Sequence, residues 1–170
     1  MKEKGFTLIE TIIYIAIISI AMVSFISFSL SVSEARNKTY TVEEVQSNAR
    51  VSLQFITQRI MAAAAVNVGA STFGTDPGVL SLAMADAAKN PTIISLNNDD
   101  GTLQIKEGLS AAIPITSDRI KVTNLVFTNL TSASYRENIR VQFTSAYKNT
   151  NPDVEFNYAQ SWQTSVSLRQ

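Results

Sequence analysis

The sequence predicts an α+β fold: one long N-terminal helix, apolar in its first half and amphipathic in its second, packed on a C-terminal antiparallel β-sheet. Three observations predict it. No residue is charged over the 23 positions from Thr11 to Ser33. From Val42 to Ala63 apolar residues return every three or four positions, and after Gly78 the period drops to two. The composition agrees, since 170 residues at 45% hydrophobic and 16% charged suit one globular domain plus an apolar segment.

The chain opens with a short charged leader, Met1 to Lys4, followed by Gly5 and Phe6. The uncharged run that starts at Thr11 is long enough to span a bilayer as a helix. A secretory signal has a shorter apolar region and a small-x-small cut after it. Ser31, Val32 and Ser33 imitate such a cut, but Glu10 sits inside the hydrophobic region, where a secretory signal avoids a carboxylate. At the centre of a span a carboxylate costs about 2.5–3.5 kcal/mol on insertion scales, and less near an end. Glu10 therefore needs a partner or a reason. Lys2 and Lys4 precede the span while Arg36, Lys38 and Arg50 follow it, so the basic residues leave its orientation open. No Pro or Gly lies between Gly5 and Gly69, which predicts a helix with little kink. Ser19, Ser24, Ser27 and Ser29 permit close packing along it.

The helix continues beyond the span and turns amphipathic. Val42, Val45, Ala49, Leu53, Ile56, Ile60 and Ala63 form one apolar face, opposed by Arg36, Lys38, Glu43, Glu44, Arg50 and Arg59. The Ala62 to Ala65 run reads as a small-residue helix face against the sheet. Asn67 to Gly69 suits a left-handed cap, so the helix is expected to end there, roughly 90 Å from Phe6 at 1.5 Å per residue. The heptad signal is too short for a long coiled coil.

Gly69 to Gly78 reads as a loop. Val79 to Ala85 is an expected strand, although Leu82 to Lys89 also fits a helical turn. Thr92 to Leu96 is the next strand, and Asn97 to Gly101 is a turn with Asp100-Gly101 hairpin chemistry leading into Thr102 to Lys106. Arg119 to Leu130 forms a long strand whose apolar phase slips between Val122 and Leu125, which predicts a bulge at Thr123-Asn124. Ile139, Val141, Phe143 and Tyr147 alternate with polar residues in one half-buried strand, and Trp162, Val166 and Leu168 do so in the last. Such alternation predicts an antiparallel sheet with one wet face. Trp162 is expected to pack on that sheet rather than to stand exposed at a tip.

Several function classes find no residues to carry them. The formal charge is zero, and without residues 1–5 there remain 12 basic against 13 acidic side chains, so nucleic acid is not an expected partner. With no Cys and no His, thiolate chemistry, the commonest general base and the commonest metal ligand are all missing. There is no Walker-type loop and no G-x-S-x-G, so no catalytic residue, metal or cofactor is assigned and the chain is not expected to be an enzyme. Asn97, Asn98, Asp99 and Asp100 offer oxygen ligands to a calcium ion, but their spacing matches no EF-hand and turn propensity explains them. Arg119, Lys121 and Arg140 outline a basic strip on the wet face, weakened by Asp118 and Glu137.

The run Lys4-Gly5-Phe6-Thr7-Leu8-Ile9-Glu10 resembles the N-terminal signal of type IV pilins and type II secretion pseudopilins. The resemblance covers about the first 30 residues. It implies that a prepilin peptidase cuts between Gly5 and Phe6 and methylates the new N-terminus at Phe6. It further implies that Glu10 of one subunit docks on the Phe6 amine of a neighbouring pilin or pseudopilin. Gly5, lacking a Cβ, lets an extended backbone approach a protease closely. An unpaired carboxylate in an apolar bundle is costly, so the Glu10–amine pair rewards the correct axial stagger. The alternative is that Glu10 merely reaches the headgroup layer. Many major pilins carry a Pro at the position matching Ser27, which this chain lacks. The order of helix, loop and sheet resembles the pilin fold. The strands after a lengthy connection, with no C-terminal Cys pair, are similar to minor pseudopilins of the J type.

These readings divide the chain into a leader (1–5), a transmembrane and filament-core helix (6–33), an amphipathic helix (34–68) and a loop-and-sheet domain (69–170). The resemblance implies a structural, minor subunit of a pilus or pseudopilus. Before assembly it crosses the inner membrane once, with its globular part outside the cytoplasm. The partners implied are prepilin peptidase, inner-membrane lipid, sibling pilins and an assembly platform protein. The alternative is a membrane-anchored binding or adhesin domain that carries the signal without entering a filament.

Overall fold

The computed structural model describes residues 5–132, 136–149 and 156–169, so the leader residues 1–4 lie outside the described residues. The chain forms two compact units, Met1–Thr39 and Tyr40–Gln170. A single helix, α1 (Leu8–Ala62), runs from one into the other.

In the first unit α1 is unbroken, as the absence of Pro and Gly predicts. The large apolar side chains of this unit, from Phe6 to Val32, are exposed. Polar side chains there turn back onto the helix: Ser19 Oγ donates to the Ile15 carbonyl at 2.7 Å and Ser24 Oγ to the Ile20 carbonyl at 2.9 Å. Hydroxyls satisfied in this way can sit in an apolar medium at little cost. This stretch is long and apolar enough to cross a membrane.

In the second unit α1 buries Thr41, Val45, Ala49, Ser52, Ile56 and Ile60, a stripe at steps of three and four. Val42 and Leu53, expected on the stripe, are half-buried at its border. An ion pair and a hydrogen bond tie the helix to one strand and to the loop that precedes the second sheet. Arg59 reaches Glu107 at 2.9 Å while lying 4.8 Å over the Phe55 ring. Asn48 Oδ1 accepts from the Ser117 backbone N–H at 2.9 Å.

The helix ends at Ala62, not near Asn67 to Gly69, and the alanine run is no helix face. Residues Ala63–Val66 form strand β1, paired antiparallel with β2 (Leu80–Met84) in the register Ala63↔Met84, Ala65↔Ala83 and Val66↔Leu82. Alanine is the best helix former, so local preference favours continuation. Tertiary bonds override it. The Val66 N–H donates to Glu137 Oε2 at 2.8 Å and the Asn67 N–H to the Ser81 carbonyl at 2.9 Å, donors that a continued helix would turn inward. Gly69 lies in a 3-10 turn, Val68–Ala70, and makes no left-handed cap.

Two antiparallel sheets stand where one was expected. The first is a meander in the order β1-β2-β3-β4-β5, with β3 at Thr92–Leu96, β4 at Leu103–Glu107 and β5 at Ile113–Pro114. The second has the order β6-β7-β8, with β6 at Ile120–Asn129, β7 at Asn138–Tyr147 and β8 at Ala159–Ser167. The break falls at β5, which is two exposed residues ending in a proline with no N–H to offer a sixth strand. The expected bulge is present: the β6–β7 register shifts between Thr123 and Val126, and Asn124 adopts φ 56°. The extra residue returns Leu125 to the core face, where it is fully buried. One apolar cluster joins Ala49, Ile56 and Ile60 of α1 to both sheets, including Leu82, Ile94, Phe127, Val141 and Phe143. Trp162 packs half-buried against this cluster and donates from Nε1 to Ser145 Oγ at 2.9 Å.

The β3–β4 turn is wider than a two-residue hairpin. The Asn97 N–H donates to the Thr102 carbonyl and the Gly101 N–H to the Asn97 carbonyl, each at 2.8 Å. Gly101 has φ +68°, and a Cβ there would lie 2.7 Å from Lys121 Cγ, so glycine is required. Asp100 Oδ1 accepts from both the N–H and the Oγ1 of Thr102, and these bonds hold its carboxyl below its ordinary value of 3.8. A depressed carboxyl pKa stabilises the fold above the unfolded value, and that contribution disappears as pH falls through the folded one. Asp100→Ala is therefore expected to lower the thermal midpoint at neutral pH. The difference from the parent chain should close in melts taken progressively below pH 4.

Candidate functional site at the start of the helix

The run Thr7-Leu8-Ile9-Glu10 has the T-x-x-E spacing of a capping box, in which each end residue satisfies a backbone N–H of the other. The structure makes half of it. Thr7 Oγ1 accepts from the Glu10 N–H at 3.4 Å, and the Thr7 carbonyl accepts from the Thr11 N–H at 3.2 Å and from its Oγ1 at 3.3 Å. The Glu10 carboxylate does not turn back toward Thr7. It points up the helix, where Oε1 accepts from the Tyr14 hydroxyl at 3.0 Å.

Phe6 precedes the first helical turn and is 76% exposed. Its ring meets the Tyr14 ring edge-on, with centroids 6.2 Å apart and planes at 72°. The structure thus brings Phe6, Glu10 and Tyr14 together on one side of the helix start. Gly5 is exposed, and a Cβ built on it would meet nothing within 4 Å. No neighbour in the described chain requires glycine there, so any demand for it comes from outside. Tyr14 is inconspicuous in the sequence. Its signal is the four-residue spacing from Glu10, which places an acceptor and a donor on adjacent turns.

The other candidate side chains take structural roles. Asn97 Oδ1 accepts from the Asp99 N–H at 3.1 Å and Asp100 closes its own turn, so these residues work as turn residues. Among the described residues no group of three or more acidic side chains is placed to hold a metal ion. The basic strip is not formed. Arg119 Nη1 donates to the Tyr40 hydroxyl at 2.6 Å. Lys121 pairs across from Ala146 and Arg140 from Thr128, at opposite ends of the β6–β7 ladder. Along the unbulged β7, six steps separate Arg140 from Ala146, the partner of Lys121, about 20 Å at strand rise.

Residues 1–26 match the family described as the prokaryotic N-terminal methylation motif. The chain carries a prepilin-type signal. That motif indicates a type IV pilin-like or pseudopilin protein, and the family it describes is structural. It implies processing by a prepilin peptidase and assembly with other pilins. Together with the long apolar helix it fits a membrane-anchored pilin, and the layout of α1 on antiparallel sheets is pilin-like. No curated protein and no solved structure matches the chain.

Proposed function

We propose that this pilin-like chain is a minor structural subunit of a type IV pilus or a type II secretion pseudopilus. In this reading prepilin peptidase cuts between Gly5 and Phe6 and methylates the Phe6 amine. The stretch from residue 6 to 33 holds the subunit in the inner membrane, with the sheets outside the cytoplasm. An assembly platform protein then passes it into the filament, where the same stretch packs against sibling helices. Glu10 meets the cationic Phe6 amine of a neighbour there.

The observation that carries this reading is the order of features at the chain start. An exposed glycine that no neighbour among the described residues requires stands one residue before Phe6, and a single carboxylate lies at the mouth of an uncovered apolar helix. A carboxylate left alone in that setting is costly, and a neighbour's ammonium supplies the missing charge. Mass spectrometry of the chain's N-terminus in its own cells tests the processing step. A mature chain beginning at N-methylated Phe6 is expected. A start after Ser33 would mean a secretory cut and would end the filament reading. A chain that begins at methylated Phe6 but co-isolates with no sibling is instead an anchored binding domain.

A further inference from the structure

We propose that Tyr14 is the positioning residue for Glu10: its hydroxyl holds one carboxylate oxygen so that the other faces a neighbouring subunit's amine. The proposal rests on the docking role given to Glu10 above and names the group in this chain that prepares it.

Three observations converge. The capping-box spacing offers Glu10 a local partner in the Thr7 N–H, and the carboxylate forgoes it for Tyr14. Only Oε1 is engaged. Tyr14 donates to it at 3.0 Å, and among the described residues Oε2 accepts no hydrogen bond, which leaves an open acceptor on the carboxylate that Tyr14 orients. The Tyr14 ring is itself held, because the Phe6 ring braces it edge-on at 6.2 Å. Phe6, Tyr14 and Glu10 thus form a short relay in which the residue that bears the new amine also steadies the donor on the acid.

The hydrogen bond contributes differently in the two states of the subunit. In the membrane Glu10 lies near the end of the span, where water reaches it and competes with the Tyr14 hydroxyl. Among packed helices no water is at hand, and a hydrogen bond to a charged oxygen strengthens. The hydroxyl therefore favours the assembled state and also selects the carboxylate rotamer that the amine meets. A tyrosine kept only for its ring would do neither.

Tyr14→Phe keeps the ring and its contact with Phe6 and removes only the donor. Expressed as the full chain with its sibling subunits, Y14F is expected to be processed and membrane-inserted normally. Its recovery in sheared filaments, or on affinity-tagged siblings, should fall by about tenfold. Tyr14→Gln restores a donor four residues from Glu10 without the ring, and is expected to recover most of the loss. A purely structural tyrosine would give the reverse order, with Phe tolerated and Gln not. Glu10→Ala run in parallel separates the two ideas. If E10A is excluded from filaments while Y14F enters at the parent level, the positioning role is wrong and docking through Glu10 stands. If E10A itself enters normally, the docking reading fails, and the Tyr14 proposal with it.

Discussion

Replacing Glu10 by alanine is expected to leave the chain in the membrane and to remove it from filaments. The carboxylate is the only charged side chain between Gly5 and Glu34, so its loss makes the apolar stretch more uniformly hydrophobic and insertion no harder. Assembly is another matter. In a packed bundle the neighbour's Phe6 ammonium would face an alanine methyl, and breaking a buried ion pair from one side costs about 3–5 kcal/mol. That corresponds to a loss on the order of 10² to 10⁴ in the equilibrium for incorporation. The measurement is co-isolation with sibling subunits, set beside carbonate extraction of the same membranes. Full co-isolation at normal membrane content would remove Glu10 from the interface. Glu10→Asp keeps the charge but shortens its reach by one methylene and should fall between the two.

The second large effect belongs to the core. Phe127 is fully buried on β6, in the cluster that α1 and both sheets share. It also seats the loop between β1 and β2. The Gly74 N–H donates to the Phe127 carbonyl at 2.8 Å, and the Gly78 N–H to the Leu125 carbonyl at 2.7 Å. Gly78 lies so close that a Cβ there would come within 3.0 Å of Phe127 Cδ2. Phe127→Ala removes the ring beneath that segment and leaves a cavity at the meeting of the two sheets. The expected loss is about 3–5 kcal/mol, a large part of the 5–15 kcal/mol that holds a typical domain. Urea unfolding followed by tryptophan fluorescence, with Trp162 as the single reporter, should show a lower midpoint at unchanged slope. A loss under about 1 kcal/mol would contradict the placement of this ring.

What the sequence revealed, and what it hid, follows from the range of the forces involved. The signal at Gly5, Phe6 and Glu10 is legible because it is a short linear string that needs no distant part of the chain to complete it. Thr92–Leu96 and the bulge at Asn124 are legible because alternation and its interruption are local. The strand at Ala63–Val66 is not, since its residues prefer helix and become strand only through β2 and a glutamate 71 positions away. The division into two sheets is equally hidden, because it turns on a two-residue edge strand whose side chains are exposed. Tyr14 is hidden for a different reason. Inside a long apolar run a tyrosine reads as one more aromatic, and only the rotamer of Glu10 reveals its hydroxyl as a partner.

The direct passage from helix to strand at Ala62–Ala63 has a mechanical consequence. No slack loop lies between α1 and β1, so whatever pull passes the helix's own anchors at Asn48 and Arg59 enters the β1–β2 ladder directly. The ladder is short, and its register shifts between Ala63 and Ala65, which makes it a weak clamp by itself. The Val66–Glu137 bond spreads the tension to the segment that opens β7, and so to the second sheet. A stretched subunit would share the strain between both sheets at once, instead of unzipping the first from its edge.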